Sequence, residues 1–411
     1  MRGWARPIVC LIAAAVCAAA APTPPPTPVP PFGSASPFPT RLVTPRPSTR
    51  QPKLSAPSAE LADLDTGQVL YAKAARTRRP IASVTKIMTA LVVLERLDPS
   101  ATVTAGPDAA RAGGARLGLR AGERITVRNL LYALLLSSAN DAAVALSDAV
   151  AGSVPAFVRL MDRRAGALGL RDTLFTSPSG LDDAGYSSAS DLIALTRAAY
   201  ARPLFTAIVR TKFWDVPAPS GPARHLENRN PLLWLYPGAV GVKTGSTARA
   251  GHCLVAAAGG NGLRVAAVVL GAPVEAFDDA ASLLNFGLLE FSRTVVVSRG
   301  ETIGAIGVDG VTIPVVAAGD LVTLVRKDLS GTIERRLRPV AGLALPIRAG
   351  DRIGTDEIRV EGRVIGLVPA LAAISAPPSG AAPSPAGFAS GLSEVFRVLL
   401  ALIRALISAF L

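Results

Sequence analysis

The sequence predicts an α+β fold, in which an antiparallel sheet flanked by helices is followed by a small all-β domain. A two-strand pattern comes first, a block of amphipathic helical segments follows, and three strand patterns then precede one more helix. From about residue 292 the helical spacing stops, and short β-branched runs alternate with Gly and Asp turns. Helices grouped between strands in this order favour antiparallel pairing over parallel pairing.

The elements of the first part can be assigned in chain order. Two short apolar runs, 61–65 and 68–72, flank a Thr-Gly turn and predict a hairpin. Apolar residues at helical spacing predict helices at 84–97, 127–136, 142–150, 154–168, 190–201 and 274–291. Strands are expected at 240–244, 252–258 and 263–270, the last two joined by a Gly-Gly-Asn-Gly turn.

The second part predicts a separate module. Short strands are expected at 294–297, 311–316, 321–325, 333–337, 358–360 and 364–368. This stretch contains no Cys, no His and no cluster of reactive side chains, so we interpret it as a spacer or docking module. The predicted division is therefore a main domain at 58–291 and a small β domain at 292–371.

The two ends of the chain have the composition of export and membrane segments. Residues 1–20 follow the order of a signal peptide, with Arg2 and Arg6 before an apolar run that ends in small residues; an uncleaved anchor is the alternative. Residues 21–57 hold 13 of the 34 prolines and predict an extended linker. A second linker is expected at 372–391. At 392–411 an amphipathic helix is expected to lie on the membrane surface, because Arg404 would make a membrane span costly.

Composition and charge exclude several classes of protein. A chain with 50% hydrophobic and 18% charged residues is not disordered as a whole. The net charge of +13 favours anionic surroundings, but the charge is spread and the chain is predicted to be exported, which argues against nucleic acid. Outside the apolar N-terminal stretch the only cysteine is Cys253, and the chain has two histidines. An internal disulfide, a multi-thiolate zinc site and a three-His metal site are thereby excluded, and we expect no metal or cofactor.

One lysine stands at the spacing of an activated nucleophile. Only six of the 43 basic residues are lysines, which can lose a proton where arginines effectively cannot. Lys86 follows Ser83 by three positions at the start of a predicted helix, so their side chains are neighbours. A serine needs a base to become a nucleophile, and a partly desolvated lysine near other cations can be neutral and serve as one. Most Ser-x-x-Lys pairs are nevertheless surface accidents.

Two further groups of polar residues lie where predicted helices or strands end. Ser138 and Asn140 fall in the break between two predicted helices, where a loop can point them into a cleft; helix capping is the alternative. Lys243, Thr244 and Gly245 end a predicted strand. There a cation and a hydroxyl can hold a carboxylate, while glycine leaves room for a substrate backbone; a plain strand end is the alternative.

Together the three groups resemble one known family. Ser138 follows Ser83 by 55 residues, and Lys243 follows Ser138 by 105, which is the order and approximate spacing of the penicillin-interacting serine acyltransferases. Residues 58–290 resemble the low-molecular-weight penicillin-binding proteins that act as D-alanyl-D-alanine carboxypeptidases. The similarity extends to Leu-Asp-Thr-Gly-Gln-Val-Leu-Tyr at 64–71, Ser-Ala-Asn-Asp-Ala-Ala at 138–143, Pro-Ser-Gly-Leu at 178–181 and Val-Lys-Thr-Gly-Ser-Thr at 242–247.

The resemblance implies a fold, an activity and roles for individual residues. The fold would be a β-lactamase/transpeptidase-like domain, followed by the family's β domain and amphipathic membrane helix. Ser83 would attack the carbonyl between two terminal D-Ala residues of a peptidoglycan stem peptide, with Lys86 as base and Ser138 as proton relay. Substrate would be bound by Asn140, Lys243, Thr244, Gly245 and Ser246. The implied protein is exported, extracytoplasmic and membrane-associated, and β-lactams would inhibit it.

One departure and three alternatives accompany the resemblance. The family often has an arginine in the segment equivalent to 271–279, which helps to bind carboxylate, and here that segment has none. Arg249 is a possible substitute, although a solvated surface cation is an equal interpretation. A class A β-lactamase is disfavoured because Glu227, the only Glu between Asn140 and Lys243, lacks the required setting. A D,D-endopeptidase and a catalytically weak β-lactam sensor remain alternatives.

Overall fold

The computed structural model describes residues 51–274 and 276–378. The predicted signal peptide, nearly all of the first linker, most of the second linker and the predicted C-terminal helix lie outside the described residues. The described α-helices are α1 Lys86–Leu94, α2 Pro107–Arg111, α3 Val127–Leu135, α4 Asn140–Ala151, α5 Val154–Ala167, α6 Ala189–Tyr200, α7 Pro203–Arg210, α8 Leu232–Leu235 and α9 Phe277–Glu290.

The described strands fall in two blocks. Those of the first block are β1 Ser58–Asp63, β2 Val69–Lys73, β3 Thr102–Thr104, β4 Arg124–Thr126, β5 Phe213–Val216, β6 Arg224–Glu227, β7 Ala239–Thr247, β8 Gly251–Gly260 and β9 Leu263–Ala272. Those of the second are β10 Phe291–Val297, β11 Thr302–Val308, β12 Val311–Ala317, β13 Leu321–Arg326, β14 Ile333–Pro339, β15 Arg352–Val360 and β16 Arg363–Ala372.

A five-stranded antiparallel sheet organises the first block, in the order β2-β1-β9-β8-β7. Its central strands are buried on both faces, because alternate residues enter two different cores. In β8, Val255 and Ala257 join the core under the helical block, whereas Leu254 and Ala256 join the core under α9. The helix α6 packs on one face and α9 on the other. The strand β7 lies at the edge of the sheet, which leaves one side of its backbone for the site described below.

The helical block surrounds α1, which is buried along its whole length except at Leu94. It contacts α3, α4, α5, α6 and α7, so it is the central helix of this layer. The break between α3 and α4, at 136–139, is held by backbone hydrogen bonds from Ala139 N to Ala133 O (3.0 Å) and from Asn140 N to Ala115 O (2.7 Å). This break points the start of α4 toward the N-terminus of α1.

The second block is all-β, as predicted. A five-stranded antiparallel sheet runs in the order β11-β12-β16-β15-β14, and β10 pairs with β13. The chain passes from α9 to β10 between Glu290 and Phe291. The predicted fold class is therefore confirmed, while the limits of the predicted domains stay predictions.

Several local predictions were wrong in instructive ways. The helix expected at 84–97 begins as a 3-10 turn, Ala82–Thr85, and its α-helical part ends at Leu94. The helix expected from 274 starts at Phe277. The strand β11 was missed because Gly304 and Gly307 interrupt its pattern, and α7 was missed because it is short.

No single helix among the described residues is long and apolar enough to cross a membrane. Two pairs of consecutive helices would be long and apolar enough if each pair is taken together, but each pair is sharply bent. These pairs are Asn140–Ala151 with Val154–Ala167 and Ala189–Tyr200 with Pro203–Arg210.

Candidate active site

Ser83 lies in the 3-10 turn that precedes α1. In such a turn residues i and i+3 are nearly eclipsed, so Lys86 points back at Ser83 more directly than on an α-helix. Ala82, immediately before the serine, has a φ of 48°, a strained value for a residue with a side chain. Gly180 lies against this turn, because a Cβ at Gly180 would be only 2.0 Å from Ala82 O. The glycine therefore permits a distant loop to approach the turn closely.

The Lys86 amine joins three parts of the chain. Its Nζ lies 2.8 Å from each of three oxygens, which are Ser83 Oγ, Asn140 Oδ1 and the backbone oxygen of Ser179. The side chain is fully buried. Desolvation lowers its pKa well below the usual lysine value, and the nearby charges of Lys243 and Arg229 lower it further. A neutral amine is therefore available beside the serine hydroxyl.

Asn140 reaches the site, and neither Ser138 nor Asn140 caps α4. Ser138 has a φ of 62° and is buried. The N-terminus of α4 has no side-chain cap. The Asn140 amide instead donates from Nδ2 to Gly113 O at 2.7 Å while its Oδ1 accepts from Lys86. The capping interpretation is thereby wrong for this segment.

Asp141, next to Asn140, was not singled out from the sequence. Its buried carboxylate accepts hydrogen bonds from the backbone N–H groups of Leu117, Gly118 and Leu119 at 2.8–3.0 Å. It thereby fixes the loop that follows Gly113 against the start of α4. A local sequence pattern could not reveal this role, since the partners lie more than 20 residues away.

The strand β7 brings Lys243, Thr244 and Gly245 against the nucleophile turn. A Cβ built on Gly245 would lie 3.0 Å from Ser83 N and 2.9 Å from Ile81 O, so this glycine permits the close approach of strand and turn. The Lys243 side chain is buried, and its Nζ donates to Thr244 O at 2.9 Å. Ser246, which follows Gly245, is exposed.

The electrostatics of the site involve a third cation that sequence reasoning missed. Burial lowers the pKa of Lys243 to about 7, and the charge of Arg229 contributes to this shift. Arg229 also lowers the pKa of Lys86. Its backbone N–H donates to Leu136 O at 3.1 Å, which places it beside the break between α3 and α4. Only the tertiary structure reveals that this exposed arginine acts on both buried lysines.

The structure brings together four of the residues that the sequence singled out. Ser83, Lys86 and Asn140 are linked by direct hydrogen bonds, and Gly245 touches the turn that carries Ser83. Within the described part of the chain, no group of three or more His, Cys, Asp or Glu side chains could hold a metal ion. Arg249, considered from the sequence, donates to Asp183 O at 3.1 Å.

Comparison with known proteins identifies the family. The family model for D-alanyl-D-alanine carboxypeptidases, peptidase S11, matches residues 46–274. The chain belongs to this family. It is 32% identical over 341 residues to the D-alanyl-D-alanine carboxypeptidase DacF of Bacillus subtilis, covering 77% of this chain and 85% of that protein.

Solved structures agree with this assignment. The D-alanyl-D-alanine carboxypeptidase DacD of Francisella tularensis superposes with a TM-score of 0.71 at 25% identity, covering 83% of this chain and 98% of that one. Penicillin-binding protein 5 of Haemophilus influenzae superposes with a TM-score of 0.66 at 28% identity, covering 80% of this chain and 99% of that one. The predicted family resemblance is confirmed.

Proposed function

We propose that this S11 peptidase is a serine-type D-Ala-D-Ala carboxypeptidase that removes the terminal D-alanine from peptidoglycan stem peptides. The observation that carries the proposal is the triple contact of the buried Lys86 amine. Asn140 Oδ1 and Ser179 O can only accept hydrogen bonds, so a neutral amine donates its two hydrogens to them. Its lone pair then faces Ser83 Oγ at 2.8 Å, ready to take the hydroxyl proton.

The acylation step follows from this geometry. Ser83 Oγ attacks the carbonyl carbon between the two D-Ala residues, and its proton passes to Lys86 Nζ. The backbone N–H groups of Ser83 and Ser246 form an oxyanion hole, in which they donate hydrogen bonds to the carbonyl oxygen as it gains negative charge. Ser138 relays a proton to the departing D-alanine amine, the C–N bond breaks, and an ester on Ser83 remains.

The remaining residues bind the substrate and complete the reaction. Lys243 and Thr244 hold the terminal carboxylate, Asn140 holds the substrate amide, and Gly245 lets the peptide backbone approach β7. Water then attacks the ester, and Ser83 recovers its proton as the shortened peptide leaves. A β-lactam acylates Ser83 in the same way but leaves slowly, so penicillin both labels and inhibits the enzyme.

The cellular setting is part of the proposal. The order of charged, apolar and small residues at 1–20 supports export, and the amphipathic pattern at 392–411 supports attachment to the outer surface of the cell membrane. Truncation before residue 392 should move the protein from the membrane fraction to the soluble fraction. Unchanged fractionation would contradict the membrane role of this segment.

The direct test is D-alanine release from a diacetyl-L-lysyl-D-alanyl-D-alanine peptide by the full chain. Release by the parent and none by Ser83→Ala is expected, while Ser100→Ala, an exposed serine, serves as the matched control. Cleavage of cross-linked peptides without D-alanine release would instead indicate an endopeptidase. Penicillin labelling of Ser83 without turnover of either substrate would indicate a sensor.

A further inference from the structure

A cationic cavity lies at the end of β7 and at the turn that follows it. It has a volume of about 580 Å³. Its lining includes Arg79, Ser246, Thr247, Arg249, His252 and Gly271. Ser246 belongs to both the proposed oxyanion hole and this cavity, so the two spaces adjoin along one strand.

Arg79 is held at this cavity by the fold, yet its charged group has an unused donor. Its backbone pairs with Ser187 in both directions, at 2.8 and 3.0 Å. Its guanidinium lies over Gly271, where an added Cβ would be 2.6 Å from Nη2 and 2.7 Å from Nε. The Nε atom is buried and has no hydrogen-bond partner among the described residues. The fold therefore leaves one donor of this guanidinium without an acceptor, which is costly.

Arg249 occupies the turn between β7 and β8 and faces the same space. Its Nη1 donates to the backbone oxygen of Asp183 at 3.1 Å, and Thr247 Oγ1 donates to Asp183 Oδ1 at 2.6 Å. The Asp183 carboxylate is thus engaged by a hydroxyl. Within the described part of the chain, neither Arg79 nor Arg249 forms an ion pair with an acidic side chain. The cavity therefore presents two guanidinium groups to an incoming anion.

The position of the cavity indicates which anion it would meet. Gly245 touches the Ser83 turn, and Thr247 is three residues beyond Thr244, or roughly 10 Å along an extended strand. The terminal carboxylate of the substrate is assigned to Lys243 and Thr244. A peptide that pairs antiparallel with β7 therefore directs its acyl part, upstream of the scissile bond, toward Thr247 and the cavity.

We infer that this cavity is a subsite for a free carboxylate carried by the acyl part of the peptide, bound by Arg79 and Arg249. The inference rests on the proposed carboxypeptidase function and adds a substrate preference to it. The preferred substrates are D-Ala-D-Ala peptides whose preceding residue has an ionised side-chain carboxylate. Arginine suits this task because its planar fork donates to both carboxylate oxygens.

The test compares two peptides that differ by one charge. N-acetyl-L-α-aminoadipyl-D-Ala-D-Ala carries the side-chain carboxylate, and its side-chain amide has the same shape without the charge. The full chain should cleave the carboxylate peptide with a kcat/KM about tenfold higher, and this ratio should fall as salt is added. In Arg79→Gln and in Arg249→Gln the ratio should fall toward one. Arg348→Gln, an exposed arginine of the second block, is the matched control and should keep the parental ratio.

Each other outcome overturns a stated part of the reasoning. Equal kcat/KM for the two peptides in the parent, with both cleaved, overturns the subsite and leaves the carboxypeptidase proposal intact. Equal losses on both peptides in the arginine variants place these residues at the terminal carboxylate instead and also overturn the subsite. Failure of the parent to cleave either peptide overturns the proposed function and the subsite that rests on it. Circular dichroism of Arg79→Gln shows whether that variant folds, and the exposed Arg249→Gln tests the same ratio independently.

Discussion

Gly245→Ala tests whether the close approach of β7 to the Ser83 turn sets the reactivity of the serine. The new Cβ would lie 2.9 Å from Ile81 O and 3.0 Å from both Ser83 N and Val84 N. Ordinary carbon contacts begin near 3.4–4 Å, so strand and turn must separate by about 0.5 Å. All three atoms belong to the backbone of a turn in which Ala82 is already strained, so they cannot move independently.

The expected magnitudes follow from this displacement. Overpacking of this kind costs typically about 1–3 kcal/mol of stability. A misplacement of 1 Å in an active site can lower a rate about a hundredfold, so half of that displacement predicts a loss of about tenfold. The acylation rate of Gly245→Ala with a fluorescent penicillin should therefore be about tenfold below that of the parent, with a lower melting temperature.

A glycine on the neighbouring strand supplies the matched control. A Cβ on Gly259 would meet no atom closer than Leu263 O at 3.8 Å, so Gly259→Ala should acylate at the parental rate. If Gly245→Ala acylated within twofold of the parent, the argument that this contact positions Ser83 would be refuted. Equal losses in both variants would show a general effect of alanine in the sheet.

Three further predictions concern the buried lysines and the loop that supports them. Lys243 has a pKa of about 7 in the folded protein and about 10.4 in the unfolded chain. Between about pH 7 and 10.4 the unfolded chain therefore binds more protons than the folded protein, so this lysine makes the free energy of unfolding rise with pH. Lys243→Met should flatten that rise in urea titrations at pH 7 and 9, and an unchanged slope would contradict the assignment. Arg229→Gln removes a cation that lowers the pKa of Lys86, so the pKa of Lys86 should rise in this variant. Because acylation needs the neutral amine, the acid limb of the pH profile of penicillin acylation should move to higher pH. An acid limb at the parental pH would refute the coupling between Arg229 and Lys86. Gly180→Ala places a Cβ 2.0 Å from Ala82 O at a φ of 71° and should lower the free energy of unfolding by about 3 kcal/mol or more. Gly118→Ala is the control, since its φ is 85° but no atom lies within 4 Å, and it should lose only about 1–2 kcal/mol to backbone strain. Equal melting temperatures of the two variants would argue against the clash.

Much of the fold was predictable because its signals are local. The apolar runs of β8 and β9, with the Gly-Gly-Asn-Gly turn between them, predicted a hairpin, and Asn261 and Gly262 indeed both have positive φ. The predicted helices at 154–168 and 190–201 match α5 and α6 within about one residue at each end. Periodicity failed where glycines interrupt a strand, as in β11, or where an element is short, as in α7.

The three motifs that form the candidate site could also be found by type and spacing. Ser83 and Lys86 are close in sequence, and the 3-10 turn brings them together locally. The sequence alone left capping open for Ser138 and Asn140, and the contact of Asn140 with Lys86, 54 residues away, decided against it. What the sequence left out are the supporting contacts of Ser179, Gly180 and Asp141, because each of these contacts joins segments that lie far apart in the chain.

By itself, then, the sequence determined the family, the order of strands and helices, and the types of residue that carry the chemistry. These follow from periodicity and motif spacing, which are properties of a linear chain. Only the tertiary structure decided the charge state of the site, because Arg229, Lys243 and Lys86 interact through burial and proximity. It also decided that Arg79 lies against Gly271 with a buried, unpaired Nε, since desolvation and unmet hydrogen bonds arise only when distant segments pack together.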